Sequence, residues 1–295
     1  MSPPPALAVV TVSYRSRSVL PGLISSLREA TSRPYEVVIA DNAPDDGEKT
    51  VAEESGARYL PMERNAGYGG AVNAATRVLD PEIQWVLICN PDVRLLPGSL
   101  DVLVDRLEAD PAIGAVGPRV LNEDGSTYPS ARAVPSLRTG IGHALFANIW
   151  KGNPWTRTYR TPSDLSGDAR IAGWLSGSCL LVRRAAFDAI GGFDEGYFMY
   201  FEDVDLGVRM AEAGHLNLYE PSARVVHTGA HSTSAEAPRM VAAHHASARR
   251  FVGRRYAGPL LLPIRWAIYG ALGVRSLTLQ LQARARKPDS GRTSA

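Results

Sequence analysis

Four short stretches of the 295-residue chain carry side chains able to do chemistry. "LICNPDVRLL" (87–96) ends an apolar run with Asn90-Pro91-Asp92. Asn and Asp close their own turns and proline fixes φ, so a plain turn accounts for the trio. A carboxylate aimed at a cation and its phosphate accounts for it as well. "FEDVDLGVRMAEAGH" (201–215) opens a helical pattern with Glu202, Asp203 and Asp205. Acids there complement the helix dipole, yet three in four residues after the aromatic "GYFMY" exceed what capping requires. Aromatic surroundings desolvate a carboxylate and raise its pKa toward general-base territory. His227 follows "ARVV" at a strand end. Beside Asp92 it makes a mixed N/O site suited to Mn²⁺ or Mg²⁺. The other histidines, His244 and His245 among them, have no comparable context; these two fall on a basic helix face.

The fourth stretch, "ERNAGYGGAVNAATRVL" (63–79), enters a helix through Gly67-x-Gly69-Gly70. The spacing is neither the dinucleotide fingerprint nor a P-loop, and the first strand–helix turn, "VSYRSRSVL", has no glycine. A Rossmann oxidoreductase is therefore disfavoured. So is a nucleotidyltransferase, whose triphosphate loop needs glycines beside its basic residues. The glycines instead let backbone approach a ligand closely, with Asn65 as a polar contact.

These residues need a frame. "ALAVVTVSY", "YEVVIADNA", "ARYLPME" and "QWVLICN" read as strands, separated by helices over 19–30, 47–55 and 70–79. "SLDVLVDRLEAD" gives another helix and "IGAVGPRVL" another strand. Strands spaced by helices of this length predict an α/β fold, a mainly parallel sheet with helices on both faces. Ligands in such sheets bind beyond the carboxyl ends of the strands, which brings Asp41-Asn42 and Asn90-Pro91-Asp92 toward one cleft. Residues 128–168 are irregular and read as an insertion. "GWLSGSCLLVRR" is then a strand, "RAAFDAIGGF" a short helix closed by Gly191-Gly192, and "LNLYEPSARVVH" further strand.

An apolar content of 45% suffices for one large domain or one and a half. Charge is uneven: from Arg239 onward eleven basic residues face one acid, whereas the remainder holds 21 basic and 29 acidic residues. An acidic body with a basic tail points to an anionic surface, membrane phosphate or nucleic acid. Cys89 and Cys179 sit in apolar runs and read as buried, reduced thiols. The opening "MSPPPALAVVTVSY" has no basic leader and enters a strand at once, which reads as a cytoplasmic protein without a signal peptide.

Taken in order, "VVTVSYRS", "VVIADNAPDD", "RNAGYGGAVN", "LICNPDV", "WLSGSCLLVRR", "IGGFDEGYFMYFEDVDLGVRMAEAGH" and "VVHTGAHS" resemble the family 2 inverting glycosyltransferases of GT-A fold, in particular their rhamnosyltransferase branch. The resemblance runs from about Ala6 to His231, and its specificity lies in the ordered set. It implies that Asp41 holds the nucleotide base and that Asn65-x-Gly67 lines the donor site. Asp92 stands in the D-x-D position and would bind Mn²⁺ or Mg²⁺ on the diphosphate, with His227 as a further ligand. Asp203 matches the catalytic base, while Asn90, Gly177, Glu202 and Arg209 fall at substrate-binding positions. Asn90 departs from the Asp of many relatives, removing one negative charge near the ion, although N-P-D is common in the rhamnosyl branch.

The implied reaction moves L-rhamnose from a nucleotide-diphospho-sugar donor, dTDP-L-rhamnose, to N-acetylglucosaminyl-diphosphate-polyprenol in cell-wall or polysaccharide assembly. Configuration inverts and no covalent enzyme intermediate forms. Two alternatives stand beside it: a galactofuranosyl, mannosyl or other hexosyl transferase, and a catalytically inert GT-A-like binding subunit. The intact set of Asp41, Asp92, Asp203 and His227 argues against inertness. The chain divides into a catalytic domain over 1–235 and a basic, helical C-terminal extension over 236–295. Arg265 and Arg275 cut that extension into uncharged pieces too short for the roughly twenty residues of a bilayer span. It reads as a basic amphipathic segment on the anionic inner face of the cell membrane, with Trp266 and Tyr269 at the interface and no nucleic acid bound. A helical subdomain or the contact of a homodimer is the alternative.

Overall fold

The central strand β1 (Leu7–Ser13) is buried along its whole length because its seven residues, LAVVTVS, carry no charge on either side of the pleat. Successive side chains point to opposite faces. Leu7 and Val9 enter one core with Leu20, Leu23, Leu27, Leu100, Leu103 and Leu107. Ala8 and Val10 enter the other with Ala71, Val72, Ala75, Phe187, Leu206 and Met210. The helices that supply those residues therefore cover both faces: α1 (Leu20–Ala30) and α4 (Ser99–Ala109) on one, and α3 (Gly67–Arg77), α5 (Arg184–Ala189) and α6 (Glu202–Glu212) on the other. α2 (Asp46–Ser55) is capped by the Asp45 carboxylate at its start and closed by left-handed Gly56. The computed structural model describes residues 5–135, 167–229, 237–270 and 273.

β2 (Tyr35–Asp41), β3 (Arg58–Pro61) and β4 (Trp85–Cys89) run parallel with β1 in the order β3-β2-β1-β4. The sheet continues through β11 (Cys179–Arg183), β6 (Ile113–Leu121), β12 (Leu216–His227) and β5 (Val93–Leu95). The expectation of a mainly parallel sheet with helices on both faces is met, with reversals at the edges and one inside: β5 is antiparallel to β12, and β11 runs antiparallel to both β4 and β6. The inner reversal puts the start of β11 beside the carboxyl end of β4, with Cys179 opposite Cys89, both buried and unpaired.

"GWLSGSCLLVRR" is two strands rather than one. β10 (Trp174–Leu175) pairs with β8 (Ala131–Arg132), and Ser176-Gly177-Ser178 turns the chain into β11. Short strands β7 (Thr127–Tyr128) and β9 (Arg170–Ala172) also lie in or next to the stretch read as irregular. Residues 136–166 of that stretch, residues 230–236 and nearly all of the tail beyond 270, Arg275 included, lie outside the described residues.

A 19-residue helix, α7 (Ala237–Arg255), packs on the start of α6. Phe251 shares a small core with Tyr197 and Val204. Among the described residues no helix is long and apolar enough to cross a membrane.

Candidate active site

A cavity of about 810 Å³ opens at the carboxyl ends of β1 and β4. Its wall includes Asn65, Gly67, Asn90, Asp92, Gly177, Glu202, Asp203 and His227 from among the residues expected on sequence. Asp41 and Arg209 do not line it.

Asn90 and Asp92 get their places from the end of β4. Asn90 N–H donates to Ser178 O on the neighbouring turn, and Val93 N–H closes the turn on Asn90 O. Asp92 is almost fully buried; its Oδ1 lies 3.2 Å from His227 Nε2 and its Oδ2 accepts from Gly229 N–H at 3.0 Å. The β5–β12 register, Val93 opposite His227, holds these two residues together. Burial alone would push the Asp92 carboxyl up, but the hydrogen bond and charge of His227 outweigh it, leaving it below the ordinary range. Asn90 Nδ2 is 3.2 Å from the same His227 nitrogen.

This pair fits a divalent ion. Two neighbouring ligands of an octahedral ion with ~2.1 Å bonds stand ~3 Å apart, close to the 3.2 Å separating Asp92 Oδ1 and His227 Nε2. No group of three or more His, Cys, Asp or Glu forms a metal cage among the described residues. An ion here would therefore complete its shell from water and substrate oxygens, as Mg²⁺ does on phosphates.

The glycine-rich turn works by close approach. Gly67 has φ +74°, and a Cβ on it would come within 2.2 Å of Phe198 O. Tyr68 N–H donates to that same oxygen. Asn65 Oδ1 accepts from Gly67 N–H, and Asn42 ties down both Gly67 O and Ala66 N–H. Tyr68 then crosses the cavity floor, its hydroxyl donating to Gly177 O at 2.5 Å.

Gly177 N–H in turn donates to Asp203 Oδ2 at 3.1 Å. Asp203 Oδ1 accepts from Val204 N–H, as a first-turn acid does. Burial raises the Asp203 carboxyl, opposed by these N–H groups and by the charge of Arg132. Burial, then the neighbouring Asp203, pushes Glu202 up to about 8, and its Oε2 has no hydrogen-bond partner among the described residues. Near neutral pH the proton of the pair therefore stays on Glu202, and Asp203, with two N–H groups on its oxygens, is the one placed to accept another.

The third acid plays a different part. Asp205 Oδ2 binds Arg209 Nε at 2.6 Å, and Arg209 Nη1 also donates to Ile190 O and Gly192 O. Arg209 thus fastens α6 to the Gly191-Gly192 turn and does not reach the cavity, contrary to a substrate contact. Asp41 is likewise spoken for: it is fully buried, accepting from Tyr59 O–H and Ala43 N–H, and its neighbour Asn42 faces the cavity instead.

α6 starts from an uncommon backbone. Tyr200 and Phe201 both have positive φ, +68° and +67°, each costing on the order of 1–3 kcal/mol for such residues. α7 secures them: the His244 ring packs edge-on against both rings, and Ser247 O–H donates to Met199 O. Arg250 and Arg254 pair with Asp194 just upstream. His244 stays exposed on its helix face while bracing the turn that leads into Glu202 and Asp203, whereas His245, expected on the same basic face, is buried.

The family model for glycosyl transferase family 2 matches residues 8–191. The chain is 46% identical to an N-acetylglucosaminyl-diphospho-decaprenol L-rhamnosyltransferase of Mycobacterium tuberculosis (strain H37Rv), over 92% of this chain and 91% of that one. It is 23% identical to rhamnosyltransferase WbbL of Escherichia coli (strain K12), over 84% and 92% of the two chains. Among solved structures, the mannosyltransferase PcManGT of Pyrobaculum calidifontis, in complex with GDP-Man and Mn²⁺, superposes with a TM-score of 0.57 at 17% identity, covering 98% of this chain and 76% of that one. The fold is of GT-A type.

Proposed function

Since this chain belongs to glycosyl transferase family 2, we propose that it transfers L-rhamnose from dTDP-L-rhamnose to N-acetylglucosaminyl-diphosphate-polyprenol with inversion. The observation that carries the specific substrates is the 46% identity to the mycobacterial enzyme across nearly the whole of both chains. The cavity supplies the chemistry. Asp203 takes the proton from an acceptor hydroxyl as that oxygen bonds to the anomeric carbon. The bond from that carbon to the donor diphosphate breaks, and dTDP leaves with the electron pair. Glu202, holding its proton, donates a hydrogen bond to sugar oxygens beside the reacting carbon and keeps the second charge away from Asp203. Mn²⁺ or Mg²⁺ held by Asp92 and His227 would offset the charge that builds on the departing diphosphate.

A polyprenyl acceptor lies at a membrane face, and the C-terminal segment suits one. After α7, Leu260 is 93% and Trp266 64% exposed, with Arg265 between them and Arg249, Arg254 and Arg255 on the helix before. Apolar side chains with arginines around them are the composition of a peripheral anchor on anionic lipid.

The test is to give the enzyme the lipid-linked acceptor with Mn²⁺ and, separately, dTDP-L-rhamnose, UDP-galactofuranose or GDP-mannose, and to weigh the products. The expected result is a rhamnosyl product at least about tenfold faster than either other, α-linked from the β-donor. Discrimination by one methyl contact is worth only ~1–3 kcal/mol, so some leakage to other donors fits. Preference for another donor overturns the rhamnosyl assignment, and no transfer from any of them favours an inert binding subunit.

A further inference from the structure

Arg132 lies on the β8–β10 ribbon, in register with Trp174. Its guanidinium sits over two aromatic rings, with Cζ 5.8 Å from the centroid of Tyr128 and 5.8 Å from that of Trp174. Its Nε donates to Pro129 O at 2.9 Å. Neither Nη nitrogen has a hydrogen-bond or ion-pair partner among the described residues. Arginine so held is stiff, and its two free nitrogens form the planar fork that matches a phosphate.

The ribbon is fixed beside the base. Trp174 packs so tightly on α6 that a Cβ added to Gly207, one turn beyond Asp203, would come within 2.7 Å of it. Two residues after β10 comes Gly177, whose N–H holds Asp203. Trp174 Nε1 donates to Ala133 O and Gly173 N–H to Arg132 O, which close the ribbon on itself. Tyr128, 36% exposed, belongs to the cavity wall. The cation is also near enough for its charge to act on Asp203. By contrast, five acids, Asp92, Glu123, Asp124, Glu202 and Asp203, face the cavity against a single arginine, Arg15, among the described residues. A second diphosphate entering it needs a cation of its own.

We propose that Tyr128, Arg132 and Trp174 form the acceptor subsite, in which Arg132 binds the phosphate attached to the acceptor sugar and the two rings flank that sugar. The inference rests on the reading of the acceptor as a diphosphate-linked sugar. The sugar's attacking hydroxyl faces Asp203 while its anomeric phosphate reaches Arg132. The donor diphosphate is left to the Asp92 and His227 end of the cavity. Affinity for the acceptor then comes from its charge as well as its lipid.

The experiment compares two acceptors: the N-acetylglucosaminyl-diphospho-lipid, and an alkyl N-acetylglucosaminide with no phosphate. Wild type, Arg132→Ala and Arg132→Lys are assayed with saturating donor, and donor KM is measured for each. Arg132→Ala is expected to raise KM for the diphosphate acceptor by about 10–100-fold, the scale of a lost charge-assisted hydrogen-bond pair. KM for the neutral acceptor and donor KM should stay within about threefold of wild type, any change in kcat through the charge on Asp203 being common to both acceptors. Arg132→Lys, which keeps charge without the fork, should fall between. An equal rise in KM for both acceptors would mean that Arg132 acts through Asp203 or the fold, and a loss confined to donor KM would put it on the donor. Either result, or no loss at all, overturns the proposal while leaving the acceptor reading intact. Wild type that does not prefer the diphosphate acceptor overturns both.

Discussion

Glu202 and Asp203 are consecutive residues at the start of one helix, yet Asp203 Oδ2 accepts from Gly177 N–H at 3.1 Å while Glu202 Oε2 is buried with no partner among the described residues. The neighbouring carboxyls therefore divide a single task. Burial raises both, but the one whose oxygens accept N–H groups ionises more readily, and the one with an unpartnered oxygen keeps the proton.

Activity should follow that division. Asp203→Asn keeps the shape and removes the basicity, so kcat should fall by ~10²–10⁴ with donor affinity retained. Glu202→Gln resembles the protonated residue and should retain activity within about tenfold of wild type. Steady-state kinetics of the two variants decide it, and a greater loss in Glu202→Gln would reverse the assignment of the base.

Stability should carry the same signature. Glutamate ordinarily ionises near 4.5, whereas Glu202 in the folded protein holds its proton to about 8. Between those values the unfolded chain binds fewer protons than the folded one, so raising the pH costs the wild type stability. Gln cannot titrate. The melting temperature of Glu202→Gln minus that of wild type should therefore grow from pH 5 to pH 8, and a flat difference would refute the buried, protonated Glu202.

Asp92 and His227 invite a chemical removal. EDTA should abolish transfer, and Mn²⁺ or Mg²⁺ should restore it. Asp92→Ala should lower the rate by at least ~10²-fold, the scale for losing one main electrostatic stabiliser. Full activity in EDTA would remove the ion from the reaction.

Two glycines with nearly the same φ separate strain from contact. Gly56 at φ +72° has open space around its missing Cβ, whereas Gly67 at φ +74° faces Phe198 O at 2.2 Å. Gly56→Ala should cost only the ~1–2 kcal/mol of a left-handed alanine. Gly67→Ala must also push the 198 loop outward, so it should destabilise further and slow transfer. Urea denaturation of both variants checks this, and equal losses would show that the loop yields freely.

The positions of β1, Asp92, Asp203 and His227 were readable because each closes or opens an apolar run whose period names its element. The inward neighbour at the end of β2 was not, because Asp41 and Asn42 end a strand buried on both faces, where no alternation says which side chain turns to solvent. For Arg209 a signal existed: Asp205 stands four residues before it, the spacing of a helical ion pair. No local pattern could join Arg132 to Trp174 or His244 to Tyr200. Those pairings span about forty residues and depend on how the sheet and α7 close.

The structure also says where to cut the tail. Arg250 and Arg254 pair with Asp194, Arg254 lies 3.6 Å from Asp205, and Arg255 pairs with Glu212. Truncation at Arg254 would therefore disturb the start of α6 and confound membrane binding with damage to the site. Truncation after Ala257 leaves α7 whole and removes Leu260, Leu262, Ile264, Arg265 and Trp266 with the basic residues beyond. The shortened protein should melt within a few degrees of the full chain and keep its rate on a short-chain, water-soluble acceptor. It should no longer sediment with vesicles containing anionic lipid. Full-length protein should be released from those vesicles by added salt, because the ionic part of the attraction is screened over ~10 Å at 0.1 M. Vesicle binding that survives both truncation and salt would assign the exposed apolar segment to a second copy of the chain, which sedimentation of the lipid-free protein would then show as a dimer.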